Sequence, residues 1–228
     1  MNKVLAILVA LLSLCSCKEK YEMPNLFKHH EKGNVKQITI KSYFVINGAL
    51  DPTDNMIVIW GEPNNGTLTY DNSGKITSDG ACKYVYDDTG KLTCIEGQGG
   101  QISVNYNELN EIEQLGTTKL RYNSNNQICA VEEIRPAIGY LPASKREYEY
   151  NDKGQMTLCK IDGGHEVLGY EYDSKGDLSK HIYLQPGGRV TEYYVSITKR
   201  DNNGNWTERR IKDSNNHDYL QTREIRYY

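Results

Sequence analysis

The chain lacks an excess of positive charge. Its 228 residues include 27 lysines and arginines against 30 aspartates and glutamates, which leaves a formal net charge of −3. Proteins that bind nucleic acid neutralise phosphates with clustered Lys and Arg, and this composition offers no surplus of either. We therefore expect no nucleic-acid partner.

The chain also lacks the short motifs of common catalytic and metal sites. Its histidines show neither H-x-x-x-H nor H-E-x-x-H spacing, and no G-x-S-x-G nucleophile elbow occurs. We expect no catalytic residue, no metal and no cofactor. A hydrolase with a site assembled from distant strands stays open as an alternative, because sequence does not supply spacing in three dimensions. The five histidines are His29, His30, His165, His181 and His217.

The longest apolar run, residues 4–12, is too short to cross a bilayer, which needs about 20 residues. It follows Lys3 and precedes Leu14-Cys15-Ser16-Cys17, which resembles the lipobox of bacterial lipoproteins. We predict a signal peptide over residues 1–16, acylation of Cys17 and a tether over residues 17–28. The protein is then exported and lipid-anchored in the cell envelope, with the outer membrane expected and either the periplasm or the cell surface as the facing side.

Four cysteines remain besides Cys15 and Cys17. An exported compartment permits disulfides, and four cysteines allow three full pairings between which the sequence does not choose. Free thiols on strands are the other reading. The four are Cys82, Cys94, Cys129 and Cys159.

Phe and Trp are scarce, at 2 each, whereas Tyr occurs 18 times. Many of these tyrosines open a short repeat: an aromatic residue, Asp or Asn, two polar residues, Gly or Asn, any residue, then an apolar one. Residues 29–35 and 50–56 are degenerate candidates. Clear copies begin at Tyr70, Tyr86, Tyr150 and Tyr172, copies with Asn in place of Gly begin at Tyr106 and Tyr122, and residues 201–206 keep the turn after Arg200.

The repeat carries the chemistry of a β-turn. Asp or Asn at the second position can bond its own backbone two residues on, and Gly at the fifth accepts a left-handed conformation. A type I turn followed by such a residue closes a three-residue hairpin loop. The structural turn glycines predicted in this way are Gly74, Gly90, Gly154, Gly176 and Gly204.

This loop predicts a register. It places Tyr86 opposite Leu92, and a regular ladder then places Tyr84 opposite Cys94. The same rule groups side chains on one face in two further hairpins. The groups are Tyr148, Tyr150, Met156 and Leu158 in one, and Tyr170, Tyr172, Leu178 and Ile182 in the other.

Glycine-rich return turns lie between the repeat turns, and apolar alternation with period two runs between them. We predict an all-β domain over residues 29–228, in which tandem antiparallel hairpins form one long, twisted or curled repeat sheet of about 16–18 strands, open or partly closed. Residues 134–144, with Pro136 and Pro142, interrupt the rhythm and predict a longer loop.

These residues resemble the YD-repeat, or RHS-type, family, and most of all its short lipoprotein versions from Gram-negative bacteria. Residues 204–209, Gly-Asn-Trp-Thr-Glu-Arg, match a string that recurs at the end of such proteins. The resemblance implies a curled, repetitive sheet and carries over no catalytic residue.

Four aromatic residues near the C-terminus make both faces of that part apolar, and they indicate either internal packing or a platform for a glycan or protein partner. We therefore expect a non-catalytic interaction or structural module, with a glycan-binding accessory protein of a polysaccharide-capture system as the alternative. The candidate platform residues are Tyr183, Tyr193, Tyr194 and Trp206.

Overall fold

The computed structural model describes residues 31–52, 65–133 and 144–228. The predicted signal peptide, Cys17 and the tether lie outside these residues, as does the loop predicted over residues 134–144 except for its last residue. The described part contains one short 3-10 helix (Asp162–Gly164), and no helix in it is long and apolar enough to span a membrane. The strands are β1 (Val35–Ile46), β2 (Ala49–Pro52), β3 (Gly66–Tyr70), β4 (Ile76–Ser78), β5 (Cys82–Tyr86), β6 (Leu92–Gly97), β7 (Gly100–Tyr106), β8 (Ile112–Leu115), β9 (Thr118–Tyr122), β10 (Ile128–Glu133), β11 (Lys145–Tyr150), β12 (Met156–Ile161), β13 (Glu166–Tyr172), β14 (Leu178–Leu184), β15 (Val190–Arg200), β16 (Trp206–Asp213) and β17 (Asp218–Tyr227).

The sheet is closed. Each strand from β3 to β16 pairs with the next one along the chain, β17 pairs with β1, and β1 pairs with β3. Strands β1 and β3–β17 therefore form a ring of sixteen, and β2 pairs with the far end of β1. The prediction of all-β antiparallel hairpins is confirmed. The prediction of a long, curled and at most partly closed sheet is corrected, because β1 pairs with the last strand of the array and closes the ring.

The repeat turns have the geometry that their residues dictate. In residues 87–91 the amide of Gly90 donates to the carbonyl of Asp87 at 2.8 Å, and the amide of Asp87 donates to the carbonyl of Lys91 at 2.9 Å. The five predicted turn glycines have φ of 78–89°. Asn110 and Asn126, which replace Gly, have φ of 65° and 60°, a conformation that Asn tolerates. Seven such turns lie in the repeats, at residues 71–75, 87–91, 107–111, 123–127, 151–155, 173–177 and 201–205. The turns at residues 185–189 and 213–217 make the same two bonds, but the ladders beside them continue without a register shift.

A β-bulge follows each repeat turn, and this corrects the predicted faces. Tyr86 does pair with Leu92, but Val85 pairs with Cys94, so Thr93 is an extra residue. Ile95, fully buried, therefore replaces Cys94 opposite Tyr84. The same shift replaces Leu158 by Cys159 and Ile182 by His181 on the inner face. The extra residues are Thr77, Thr93, Glu113, Cys129, Thr157, Ser179 and Thr207.

Neighbouring repeats are tied together by their tyrosines. The hydroxyl of Tyr106 donates to the carbonyl of Leu92 at 2.8 Å, and that of Tyr172 donates to the carbonyl of Met156 at 2.8 Å. In each case the acceptor is the apolar residue of the preceding repeat. The same bond joins Tyr86 to Ile76, Tyr122 to Ile112 and Tyr150 to Ile128.

The ring has two unlike parts. The repeat half, strands β3–β13, has strands of three to seven residues and contributes most of the main apolar cluster. The chain-end half, strands β14–β17 with β1, contains strands of seven to twelve residues. Its inner face carries a second, smaller cluster of Tyr193, Val195, Ile211 and Tyr219. Because the strands of the chain-end half are longer, some of the residues on its inner face lie outside the repeat motif.

Candidate functional site

Polar side chains concentrate on the inner side of the chain-end half. Each is at most 7% exposed, although such residues are rarely buried without partners. We treat this buried polar set as the candidate site, because buried ionisable groups are where unusual chemistry is most often placed. The set comprises Ser42, His181, Thr191, Arg209, Asp213, Gln221 and Arg223.

His181 lies at the junction between the two apolar clusters. The bulge at Ser179 turns it inward, where it pairs with Tyr170 of β13 and with Tyr193 of β15. Its ring stacks on both phenols, with centroids 5.1 Å from Tyr170 and 5.6 Å from Tyr193. Neither ring nitrogen has a hydrogen-bond partner among the described residues. Burial lowers the pKa of His181 from 6.5 to about 4, so the imidazole is neutral near pH 7.

Asp213 comes next in the same cross-strand row, opposite Tyr193. Its carboxylate accepts bonds from the amides of Asn215 and His217 at 2.8 and 2.9 Å, and Nδ1 of His217 lies 2.7 Å from it. Burial by itself would raise the pKa of Asp213, but these bonds outweigh burial and lower the pKa. Asp213 thus closes the turn between β16 and β17.

Two buried arginines hold Trp206. The guanidinium carbons of Arg209 and Arg223 lie 4.3 and 4.0 Å from the indole centroid, within the range of cation–π attraction. Arg223 donates from Nε to the carbonyl of Trp206 at 2.9 Å and from Nη1 to Glu31 at 2.7 Å. These contacts join β16, β17 and the segment that precedes β1.

Arg209 extends the network across the seam. Its Nε donates to Oε1 of Gln221 at 2.8 Å, and Nε2 of Gln221 donates to Oγ of Ser42 at 3.2 Å. The chain of bonds thus crosses β16, β17 and β1. Side chains from both ends of the sequence share one buried network, which stabilises the closed form of the sheet.

The bonds of the buried polar set hold neighbouring strands together. Within residues 31–52, 65–133 and 144–228, no three His, Cys, Asp or Glu side chains converge as metal ligands. Cys82, Cys94, Cys129 and Cys159 are present as thiols. Burial raises the pKa of Cys159 to about 12, which keeps it protonated and a poor nucleophile at neutral pH.

The four aromatic residues near the C-terminus do not form one surface, which corrects the platform interpretation. Internal packing, the other interpretation of these residues, fits Tyr193 and Trp206. Tyr193 and Trp206 are buried, and Tyr183 is half-buried against both apolar clusters. Tyr194 is 48% exposed, with Nζ of Lys180 lying 5.4 Å from its ring centroid. The longer strands turn the other rings inward, so the outer face retains a single ring of the four.

Sequence reasoning missed His181, Arg209 and Arg223. The polar residue after each apolar repeat position was the available signal, because five of the seven bulged residues are Ser or Thr. The hydroxyls of Thr93 and Ser179 donate across the bulge to backbone carbonyls at 3.0 and 3.1 Å. A bulge assumed at each of these positions would have placed His181 on the inner face of the sheet.

Comparison with known proteins agrees with this architecture. A family model described as the teneurin YD-shell matches residues 31–202, which confirms the resemblance to YD-repeat proteins. No curated protein sequence matches the chain significantly.

Two solved structures are similar to the chain. A porin-like protein from Bacteroides uniformis is 12% identical, with a TM-score of 0.51, and the match covers 84% of this chain and 98% of that one. This likeness supports the fold alone. The Tc holotoxin pore of Photorhabdus luminescens is 17% identical, with a TM-score of 0.39, over 80% of this chain. This chain spans only 11% of the length of that toxin chain.

Proposed function

The chain belongs to the teneurin YD-shell family, and we propose that it acts as a non-catalytic interaction or structural module of the cell envelope, tethered by a lipid on Cys17. The observation that carries the structural part is the tie between repeats. The repeat tyrosines bond the preceding repeat, and the turn aspartates bond their own loops, as Asp87 does with the amides of Thr89 and Lys91 at 2.9 Å. The tyrosine hydroxyls and turn carboxylates of the repeat thus form hydrogen bonds that stabilise the shell.

The outer face of β13–β15 supports the interaction part. Val167 pairs with Leu184, and Leu184 pairs with Val190, on the side opposite the buried Leu168 and Tyr193. Val190 is 53% exposed. Apolar residues grouped on the solvent side of a sheet are typical of surfaces that contact another molecule.

Detergent-phase partition of the expressed protein tests the anchor. We expect Cys17→Ala to move the protein out of the detergent phase or to leave it unprocessed, because one acyl chain binds a membrane reversibly whereas several hold it firmly. Cys15→Ala, the matched control, should partition as the wild type does. An unchanged membrane fraction and mature mass in Cys17→Ala would show that Cys17 is not the acylated residue.

Photo-crosslinking in cells tests the interaction surface. A photoreactive aromatic residue in place of Val190 should yield a discrete adduct. The same residue in place of Leu109, which is 79% exposed in a repeat turn of the other half, should not. Equal labelling from both positions, or none from either, would contradict the assignment of this face.

Glycan binding remains the second candidate, and the exposed ring of Tyr194 is the observation that favours it. Aromatic faces bind sugar rings, and Lys180 and Glu192 beside the ring offer polar contacts. A glycan array should then show binding that Tyr194→Ala abolishes and Leu109→Ala preserves. Binding that survives Tyr194→Ala would remove this residue from the site.

A further inference from the structure

The two ends of the described chain meet in a geometry that the repeat turns also use. Tyr227 pairs with Val35, as Tyr86 pairs with Leu92. The amide of Tyr228 donates to the carbonyl of Asn34 at 3.0 Å, which is the bond that the second residue of each repeat makes to the sixth. The chain ends therefore occupy the positions of a repeat.

Two further features of the repeat recur at this junction. Gly33 has a φ of 93°, close to that of the turn glycines, and it precedes the fully buried Val35 by two residues as the repeat requires. The register shifts between Val35 and Gln37, so Lys36 takes the place of the bulged residue. The degenerate copy over residues 29–35 thus keeps its glycine and its apolar position, and β17 supplies the aromatic residue.

We infer that the shell is closed by an eighth repeat unit split between the chain ends, and that the shell opens at this unit. In the seven other units a short covalent loop joins the two strands, so the strands cannot part without unfolding the loop. At the eighth unit, Val35 and Tyr227 are joined only by non-covalent contacts. β1 can leave β17 while keeping its other edge paired with β3, at residues 37–40.

Side chains beside the split unit act as its latch. Asn205 donates from Nδ2 to the carbonyl of Lys32 at 2.8 Å, and its Oδ1 accepts from the amide of Lys32 at 2.8 Å. Asn205 also donates to the hydroxyl of Tyr227 at 2.9 Å, and Glu31 binds Arg223 at 2.7 Å. The latch thus connects the N-terminal segment to the last covalent repeat turn and to β17, and its release frees both halves of the split unit.

Residue-resolved hydrogen exchange on the full chain tests this inference. Amides bonded between β1 and β17 should exchange as one group, at least tenfold faster than those bonded between β5 and β6, because opening the seam is a sub-global event. Gly33→Ala should speed exchange of the seam group a further ten times or so, because a Cβ is strained at this φ and would lie 3.0 Å from the ring of Tyr227. Other strands should keep their rates.

Gly154→Ala is the matched control, since it changes the equivalent glycine of a covalently closed unit. It should leave the difference between the seam and the other strands unchanged. Equal protection of the seam and of β5–β6 in the wild type would overturn the inference. A uniform acceleration of all strands in Gly33→Ala would overturn it too, because the shell would then open only by global unfolding.

Discussion

The repeat half and the chain-end half of the ring both link neighbouring strands by a side chain that donates to a backbone carbonyl, but they use different side chains. In the repeat half, a tyrosine hydroxyl bonds the carbonyl of the preceding apolar residue, as Tyr106 does with Leu92. In the chain-end half, Arg223 bonds the equivalent carbonyl, that of Trp206. Both bonds join strands that a covalent turn also links. Arg223 in addition binds Glu31 in the segment that precedes β1, so this side chain brings charge and the buried network to the seam between β1 and β17.

The largest expected effect comes from breaking the network at the seam. Arg223→Ala should lower the free energy of unfolding by about 4 kcal/mol, because it removes a buried guanidinium from Glu31 and from the face of Trp206. Arg210→Ala, on the exposed side of β16, should cost less than about 1 kcal/mol. Urea melts of both variants give the comparison, and equal losses would mean that the network does not stabilise the seam.

Core truncation tests the corrected register in the repeat half. Ile95→Ala should destabilise by about 3 kcal/mol, because Ile95 is fully buried. Cys94→Ala should cost only about 1 kcal/mol, because it removes a single sulfur atom, although Cys94 is buried on the other face of β6 and accepts a bond from Gln101. A larger loss of stability for Cys94→Ala than for Ile95→Ala in thermal melts would support a regular ladder without a bulge.

The pH dependence of stability should differ between His181 and an exposed histidine. Because burial lowers the pKa of His181 to about 4, the unfolded chain takes up this proton at higher pH than the folded chain. The stabilisation is complete above pH 6.5 and is lost as the pH falls from 6.5 towards 4, by about 3 kcal/mol in all.

Urea melts between pH 4 and 7 measure this slope. His181→Leu should flatten it, whereas His165→Gln, at an exposed position, should leave it unchanged. An undiminished slope in His181→Leu would assign the dependence to other groups.

The smallest effect concerns a single bond between repeats. Tyr150→Phe should cost about 1 kcal/mol, because the carbonyl of Ile128 loses a donor 2.6 Å away. Tyr194→Phe removes a hydroxyl from the outer surface and should be nearly neutral. No difference between the two variants would mean that the link between repeats adds nothing to stability.

Local sequence patterns predicted the turns, but they did not predict the bulges or the pairing between strands far apart in the sequence. The pattern predicted the conformation of Gly90 and the pairing of Tyr86 with Leu92, because both are set within seven residues. It missed the bulge at Thr93, because a Ser or Thr at this position also fits a regular ladder with its side chain on the polar face. The inward position of His181 was missed in the same way, because it depends on the bulge at Ser179.

Closure was harder to predict for the same physical reason. Pairing of β1 with β17 joins residues nearly two hundred positions apart, and nothing local to either strand signals it. The degenerate copy over residues 29–35 was the only hint, because its aromatic half is supplied by the far end of the chain. The platform prediction was wrong for a related reason, because the sequence pattern alone does not show which aromatic rings of the longer strands face inward.

Closure is the central claim, and a distance across the seam tests it most directly. Nitroxide labels on Lys41 and Thr222, which are paired residues of β1 and β17, should lie close enough for strong dipolar broadening in continuous-wave electron paramagnetic resonance. In an open array of sixteen strands about 4.8 Å apart, the same labels would be roughly 70 Å from each other. Broadening that is lost on unfolding is the predicted result, and undistorted spectra of the folded, doubly labelled protein would contradict a closed shell.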